Sequence, residues 1–180
     1  MFWLFMRAAT SATWGITIKV PLTLDTSGPP GALTTTSSGN VPRTIPDGSP
    51  TGVTSTHLLP ASAGAIADMN VRITKVTHAY VSDLVISIKT PWGATATLFN
   101  QRGGGGANLQ NTVFDDEAAK HIAEGEAPFT GAFRPEQPMT SFKGRDASGT
   151  WALRLVDLVE ADQGTLNGWG LNRRDMVCAP

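Results

Sequence analysis

Apolar residues recur at every second position over several short runs of this chain. Val71 and Ile73 alternate with polar neighbours; the phase then slips, and Val76, His78 and Tyr80 continue one residue out of step. A one-residue slip exchanges the two faces of a strand, so this run predicts a β-bulge. Leu84, Ile86 and Ile88 alternate up to the turn Thr90-Pro91-Trp92-Gly93, and Ala94, Ala96 and Leu98 follow it, which predicts a hairpin. Later, Trp151, Leu153 and Leu155 share one face, with Ala152, Arg154 and Val156 on the other. Leu166, Trp169 and Leu171 mark a closing strand.

One stretch departs from this period. Asp115 to Gly125, "DDEAAKHIAEG", reads as a short helix with Asp115 as N-cap and Gly125 as stop. From Ser27 to Pro50 the composition turns to Gly, Pro, Ser and Thr and reads as linker, after an isolated strand candidate at Val20 to Leu24. One short helix among many strands and Gly-rich turns predicts an all-β fold, an antiparallel β-sandwich.

Composition narrows the function classes. The 180 residues suffice for one domain with a real core, and 41% hydrophobic with 16% charged residues fits a globular chain. The net charge is −1 and no basic cluster exceeds Arg173-Arg174, which argues against nucleic acid as a partner. A lone Cys178 offers no intramolecular disulfide. The apolar run Phe2 to Met6 stops at Arg7, too short for a signal peptide core or a membrane span. Met1 is therefore read as a truncated or misassigned start, or as the tail of an upstream domain, with a true signal peptide as the weaker alternative.

Catalytic signals are weak. A serine hydrolase needs a hydroxyl, an imidazole and an orienting carboxylate, and no Gly-x-Ser-x-Gly elbow is present. His78 sits within a strand-like run, where a packed histidine is the simpler reading. His57, His78 and His121 lack His-x-x-x-His spacing. The loop "RGGGGANLQN", Arg102 to Asn111, lacks the Gly-Lys-Ser/Thr ending of a phosphate loop. The carboxylates Asp83, Asp115, Asp116, Asp157 and Asp162 fall at strand ends and turns. Such residues cap turns through backbone N–H groups, or they supply oxygens for a hard cation. Asp115 and Asp116 stand out, because adjacent carboxylates repel unless hydrogen bonds or a cation offset them.

The ordered segments "IPDGSPTGV", "VTHAYVSDLVISIKTPWGATATLF", "GGGGANLQNTVFDD", "APFTGAFRPEQPMTSFKG", "SGTWALRLVD" and "DQGTLNGWGL" carry a further signal. From about Ile45 to Asn172 they resemble the P domain (P/Homo B domain) of proprotein-convertase-like and bacterial subtilisin-like secreted proteases. The resemblance implies a jelly-roll β-sandwich of galactose-binding-like outline. It implies an extracellular, non-catalytic module that supports a serine endopeptidase, with a subtilisin-like or metallopeptidase catalytic domain as partner in cis or trans. Where some convertases have Arg-Gly-Asp, this chain has Val81-Ser82-Asp83, so integrin-like recognition does not carry over.

The expected organisation is an N-terminal segment and linker over 1–44, the domain over 45–174 and a tail over 175–180. Calcium is the candidate cofactor, as a structural ion held by some of Asp83, Asp115, Asp116, Asp157 and Asp162. Membrane and nucleic acid are not expected partners. The alternative is a carbohydrate- or cell-surface-binding module, which needs Trp92, Phe129 and Phe133 exposed for stacking.

Overall fold

The computed structural model describes residues 30–61 and 65–177. Eleven strands follow in chain order: β1 (Thr34–Ser37), β2 (Arg43–Ile45), β3 (Val53–Leu59), β4 (Ile66–Thr77), β5 (Leu84–Lys89), β6 (Thr95–Asn100), β7 (Leu109–Phe114), β8 (Lys120–His121), β9 (Gly131–Arg134), β10 (Gly149–Asp157) and β11 (Gly164–Asp175). They form a β-sandwich. One sheet has the order β1-β11-β4-β7-β9-β8, with β2 also on β11; the other has the order β3-β10-β5-β6. Pairing is antiparallel except where β9 runs parallel to β7 and β8.

The alternating runs became the inner faces. Trp151, Leu153 and Leu155 from β10 and Ile86 and Ile88 from β5 are fully buried against Val71, Ile73 and Trp169 of the opposite sheet. In β4 the buried positions Val71 and Ile73 give way to Val76, as the phase slip predicts. There the ladder between β4 and β11 is irregular: Leu166 pairs with Val76, Gly168 with Lys75 and Trp169 with Ile73. Thr74 and Asn167 drop out of it, so both strands keep their apolar side inward. The hairpin of β5 and β6 closes at the expected turn, where Thr90 donates its N–H to Ala94 O at 2.8 Å.

Aromatic rings fill the two ends of the core. Trp92, Phe142 and Trp151 meet edge to face at 5.6–6.1 Å between centroids. Phe99, Phe129 and Phe133 form a second set. Each ring of this size removes about 150–250 Å² from water, which makes these positions the anchors of the core.

Two sequence readings are corrected. The segment Asp115 to Gly125 is not an α-helix. It is a turn, the short strand β8 and a single 3₁₀ turn over Ile122–Glu124. The backbone is claimed by β9: Lys120 lies opposite Phe133 and His121 opposite Arg134, and Arg134 donates to Ala118 O and Ala119 O. Eleven residues of helix propensity do not outweigh a ladder already templated by β9.

The stretch Ser27 to Pro50 is likewise not linker throughout. Its Thr-rich part forms β1 and its end forms β2, both on the same edge of β11. These strands bury little surface, apart from Ile45, and are held by main-chain bonds. The strand candidate Val20 to Leu24 lies outside the described residues.

Candidate functional site

Three places gather the polar side chains. The first is buried at one end of the sandwich. β4 ends at Thr77, and the next residue, His78, turns inward with its side chain fully covered. Its Nε2 lies 3.0 Å from Asp157 Oδ2, and Asp157 is also fully buried. Tyr80 donates its backbone N–H to His78 Nδ1 at 3.2 Å. An Nδ1 that accepts is unprotonated, so the proton sits on Nε2 and points at the carboxylate. Val159 N–H satisfies the other Asp157 oxygen at 3.2 Å. Gly164 permits the arrangement, since a Cβ there would overlap His78 Cδ2.

This His–Asp pair has the look of two thirds of a triad, and its geometry decides against one. A catalytic imidazole keeps one nitrogen free to take a proton from a hydroxyl. Both nitrogens of His78 are engaged, one by Asp157 and one by the backbone. His57 packs edge-on to Trp169, and its Nε2 meets Thr36 Oγ1 at 2.9 Å. His121 Nδ1 accepts from Ala123 N–H as a turn cap.

The second place is an open cleft of about 680 Å³ at the opposite end, lined by Asp68, Asp115, Glu117, Lys143 and Arg174 among others. Burial, and then the charge of Glu117, raises the Asp68 carboxyl above the ordinary range. Burial also raises Asp115, whose Oδ1 accepts from Glu117 N–H at 2.8 Å. Glu117 is lowered instead, because Lys143 Nζ donates to it at 2.7 Å.

The third place is the edge where β1 and β3 meet. Trp169 donates its indole N–H to Ser55 Oγ at 2.8 Å, and Ser55 Oγ donates on to Asn40 O at 2.7 Å. Ser38 Oγ reaches Thr56 O, and Asn40 Oδ1 accepts from Thr56 N–H and from Arg43. Residues read as linker thus join the two sheets. Only the folded register makes that visible, because Asn40 and Thr56 carry no pattern linking them.

The five turn aspartates do not converge. Asp83, Asp157 and Asp162 lie at the His78 end, where Leu158 N–H donates to Asp83 O. Asp115 and Asp116 follow the far end of β7, a six-residue strand of about 20 Å. Asp116 uses both oxygens on Met139 N–H, at 2.8 and 3.0 Å, and Asp157 is committed to His78. Among the described residues no three His, Cys, Asp or Glu side chains are placed to hold one metal ion. As arranged, these residues do not fit calcium. Asp68 and Glu117, the true neighbours of Asp115, escaped sequence reasoning, since β4 brings Asp68 from far along the chain.

The stacking aromatics are mostly core. Phe129 is 0% and Phe133 6% exposed, and Trp92 is partly buried against the core. The glycine run is a packed turn: a Cβ on Gly103 would meet Phe129 and Val81, and Val81 N–H donates to Gly106 O. Arg102 beside it forms a two-point pair with Glu136 at 2.6 and 3.0 Å.

Many of these polar side chains serve the domain's own loops and turns. Residues 66–173, more than half of the chain, match the family described as proprotein convertase P-domain, and the chain belongs to that family. A protein named calcium-dependent protease from Trichormus variabilis is 29% identical over 109 residues, covering 57% of this chain and 14% of that protein. A protein of the same name from Nostoc sp. is 28% identical over the same length. The chain thus spans about 14% of the length of these relatives. The crystal structure of an Aeromonas sobria serine protease in complex with its chaperone overlays with a TM-score of 0.49 at 17% identity. It covers 82% of this chain and 26% of that one. The structure of the Aeromonas sobria serine protease itself gives 0.47 at 16% identity.

Proposed function

We propose that this domain is a non-catalytic accessory module of a secreted, serine-type endopeptidase of the subtilisin/kexin class, and that it supports the folding and stability of the protease domain. The observation that carries the reading is the membership of residues 66–173 in the P-domain family. The site geometry agrees with it: the buried histidine has no nitrogen available for base catalysis, and its carboxylate partner serves a turn. Burial of Phe129 and Phe133, with Trp92 partly covered by the core, weighs against the exposed stacking platform of the carbohydrate-binding alternative. The partner in this reading is a catalytic domain, in cis or in trans, outside the cell. Among the described residues no helix is long and apolar enough to cross a membrane.

The relatives' name is the link to calcium and the proposal does not include the ion; of the five aspartates, Asp115 alone has other carboxylates beside it in the cleft. No part of the accessory role is routed through the ion.

The test is direct. The purified chain should hydrolyse neither casein nor peptide esters, and it should lengthen the half-life at elevated temperature of a protease domain prepared without its own P domain. Steady turnover that a single Ser or His substitution abolishes would overturn the non-catalytic reading.

A further inference from the structure

The outer face of the sheet β3-β10-β5-β6 carries a hollow of about 560 Å³. The strand period puts polar groups there. Ser55, Leu153 and Ile88 are buried, so their neighbours Thr54, Ala152, Arg154, Ser87 and Lys89 turn outward. The register sets two rows across the sheet. Thr56, Ala152, Lys89 and Thr95 lie side by side in one, and Thr54, Arg154, Ser87 and Thr97 in the other. Ala152 is the smallest side chain of its row and opens the hollow between its neighbours.

The hollow has one sign of charge. Lys89 and Arg154 line it, and no carboxylate does. Among the described residues neither cation forms an ion pair. Arg154 is held in place, because its Nε and Nη2 donate to Thr51 O at 3.2 Å and Pro50 O at 2.6 Å. Carbonyl oxygens fix the guanidinium without cancelling its charge. Lys89 stands diagonally across from it, about 7–8 Å away by sheet geometry. Thr54, Ser87, Thr95 and Thr97 add hydroxyls that can donate or accept. The chain's net charge is −1, so an anion is attracted by this patch and not by the molecule as a whole.

The surroundings narrow the occupant. No aromatic ring lines the hollow, so nucleic-acid bases and neutral sugars find no surface to stack on. A peptide strand is kept from adding along the adjacent β6 edge. There Thr97 N–H donates to Gln137 Oε1 and Gln137 N–H donates to Thr97 O, both at 2.9 Å. A single exposed cation holds an anionic group weakly, whereas a chain that repeats the group engages both cations at once. A polymer that carries hydroxyls beside its charges also matches the four hydroxyls of the face.

We infer that this face binds an acidic polysaccharide, with its carboxylate or sulfate groups on Lys89 and Arg154 and its hydroxyls on the Thr and Ser side chains. Recognition rests on charge and hydrogen bonds rather than on ring stacking. It needs no protease and stands apart from the accessory role.

Calorimetry of the full chain with polygalacturonate, dextran sulfate and neutral dextran tests the site. At least one acidic polymer should bind, more weakly as salt rises, and neutral dextran should not. Preference between the two acidic polymers separates carboxylate from sulfate. Lys89→Glu should weaken binding about tenfold or more. Lys75→Glu, the same charge change at an exposed position of the other sheet, should leave it unchanged. Should Lys89→Glu fail to fold, Lys89→Gln should weaken binding by a smaller factor. Thr97→Val removes a hydroxyl at constant charge, and it should weaken polysaccharide binding without affecting poly-glutamate. Failure of both acidic polymers to bind, or an equal loss from Lys75→Glu, overturns the site. Poly-glutamate binding as tight as that of the polysaccharides, with Thr97→Val without effect on either, overturns the polysaccharide in favour of an acidic peptide.

Discussion

Trp169 and Ser55 lie on opposite sheets, and the indole N–H of one reaches the hydroxyl of the other at 2.8 Å inside the core. Ser55 is fully buried, so its hydroxyl has no water to fall back on. Ser55→Ala should leave the indole N–H and Asn40 O without this partner and lower stability by about 1–3 kcal/mol. Thr54→Ala, on the exposed side of the same strand, should stay within about 0.5 kcal/mol. Urea unfolding of the two variants checks the contrast.

His78 and Asp157 predict a coupled pair. His78→Leu leaves a buried carboxylate with a single recorded donor, the Val159 N–H, and should cost about 3–5 kcal/mol. Adding Asp157→Asn removes the stranded charge and should recover part of that loss. A double-mutant cycle by chemical denaturation measures the coupling, and strict additivity would contradict the pairing.

The cleft carboxylates predict a pH effect of definite sign. Asp68 has a raised folded pKa, so its protonated form is favoured by folding. Its contribution is fully present below the ordinary aspartate value of 3.8 and is lost as pH rises through the raised folded value. Asp68→Asn should therefore stabilise the domain modestly at pH 7, by under about 0.5 kcal/mol, and gain nothing near pH 3. Glu117 runs the other way: its lowered pKa adds stability above the unfolded value, lost on acidification. Glu117→Gln should be mildly destabilising at pH 7, and melting curves at the two pH values separate the cases.

Calcium is tested by melting chelator-treated protein with and without the ion at millimolar concentration. The arrangement of Asp83, Asp115, Asp116, Asp157 and Asp162 predicts coincident curves. Binding to the native state alone at a hundredfold excess over Kd adds about 2.7 kcal/mol, which a melt detects easily. A rise that Asp115→Asn abolishes would place the ion in the cleft.

Sequence alone determined the alternating runs that became β4, β5, β6, β10 and β11 and the side of each that faces inward, because burial in a sheet repeats every two residues and leaves that period in the chain. The slip between Ile73 and Val76 and the turn at Thr90 to Gly93 were legible for the same reason. Tertiary structure decided what pairing imposes from a distance. The Thr-rich stretch at residues 34–37 became a strand because β11 offered an open edge, and Lys120–His121 became one because β9 lay alongside. The aspartates separated for the same cause: a turn cap, a backbone anchor and a buried partner of histidine look identical in a sequence. What distinguishes Asp115, Asp116 and Asp157 is the donor that the fold carries to each from elsewhere: the nearby Glu117 N–H, the distant Met139 N–H and the His78 ring.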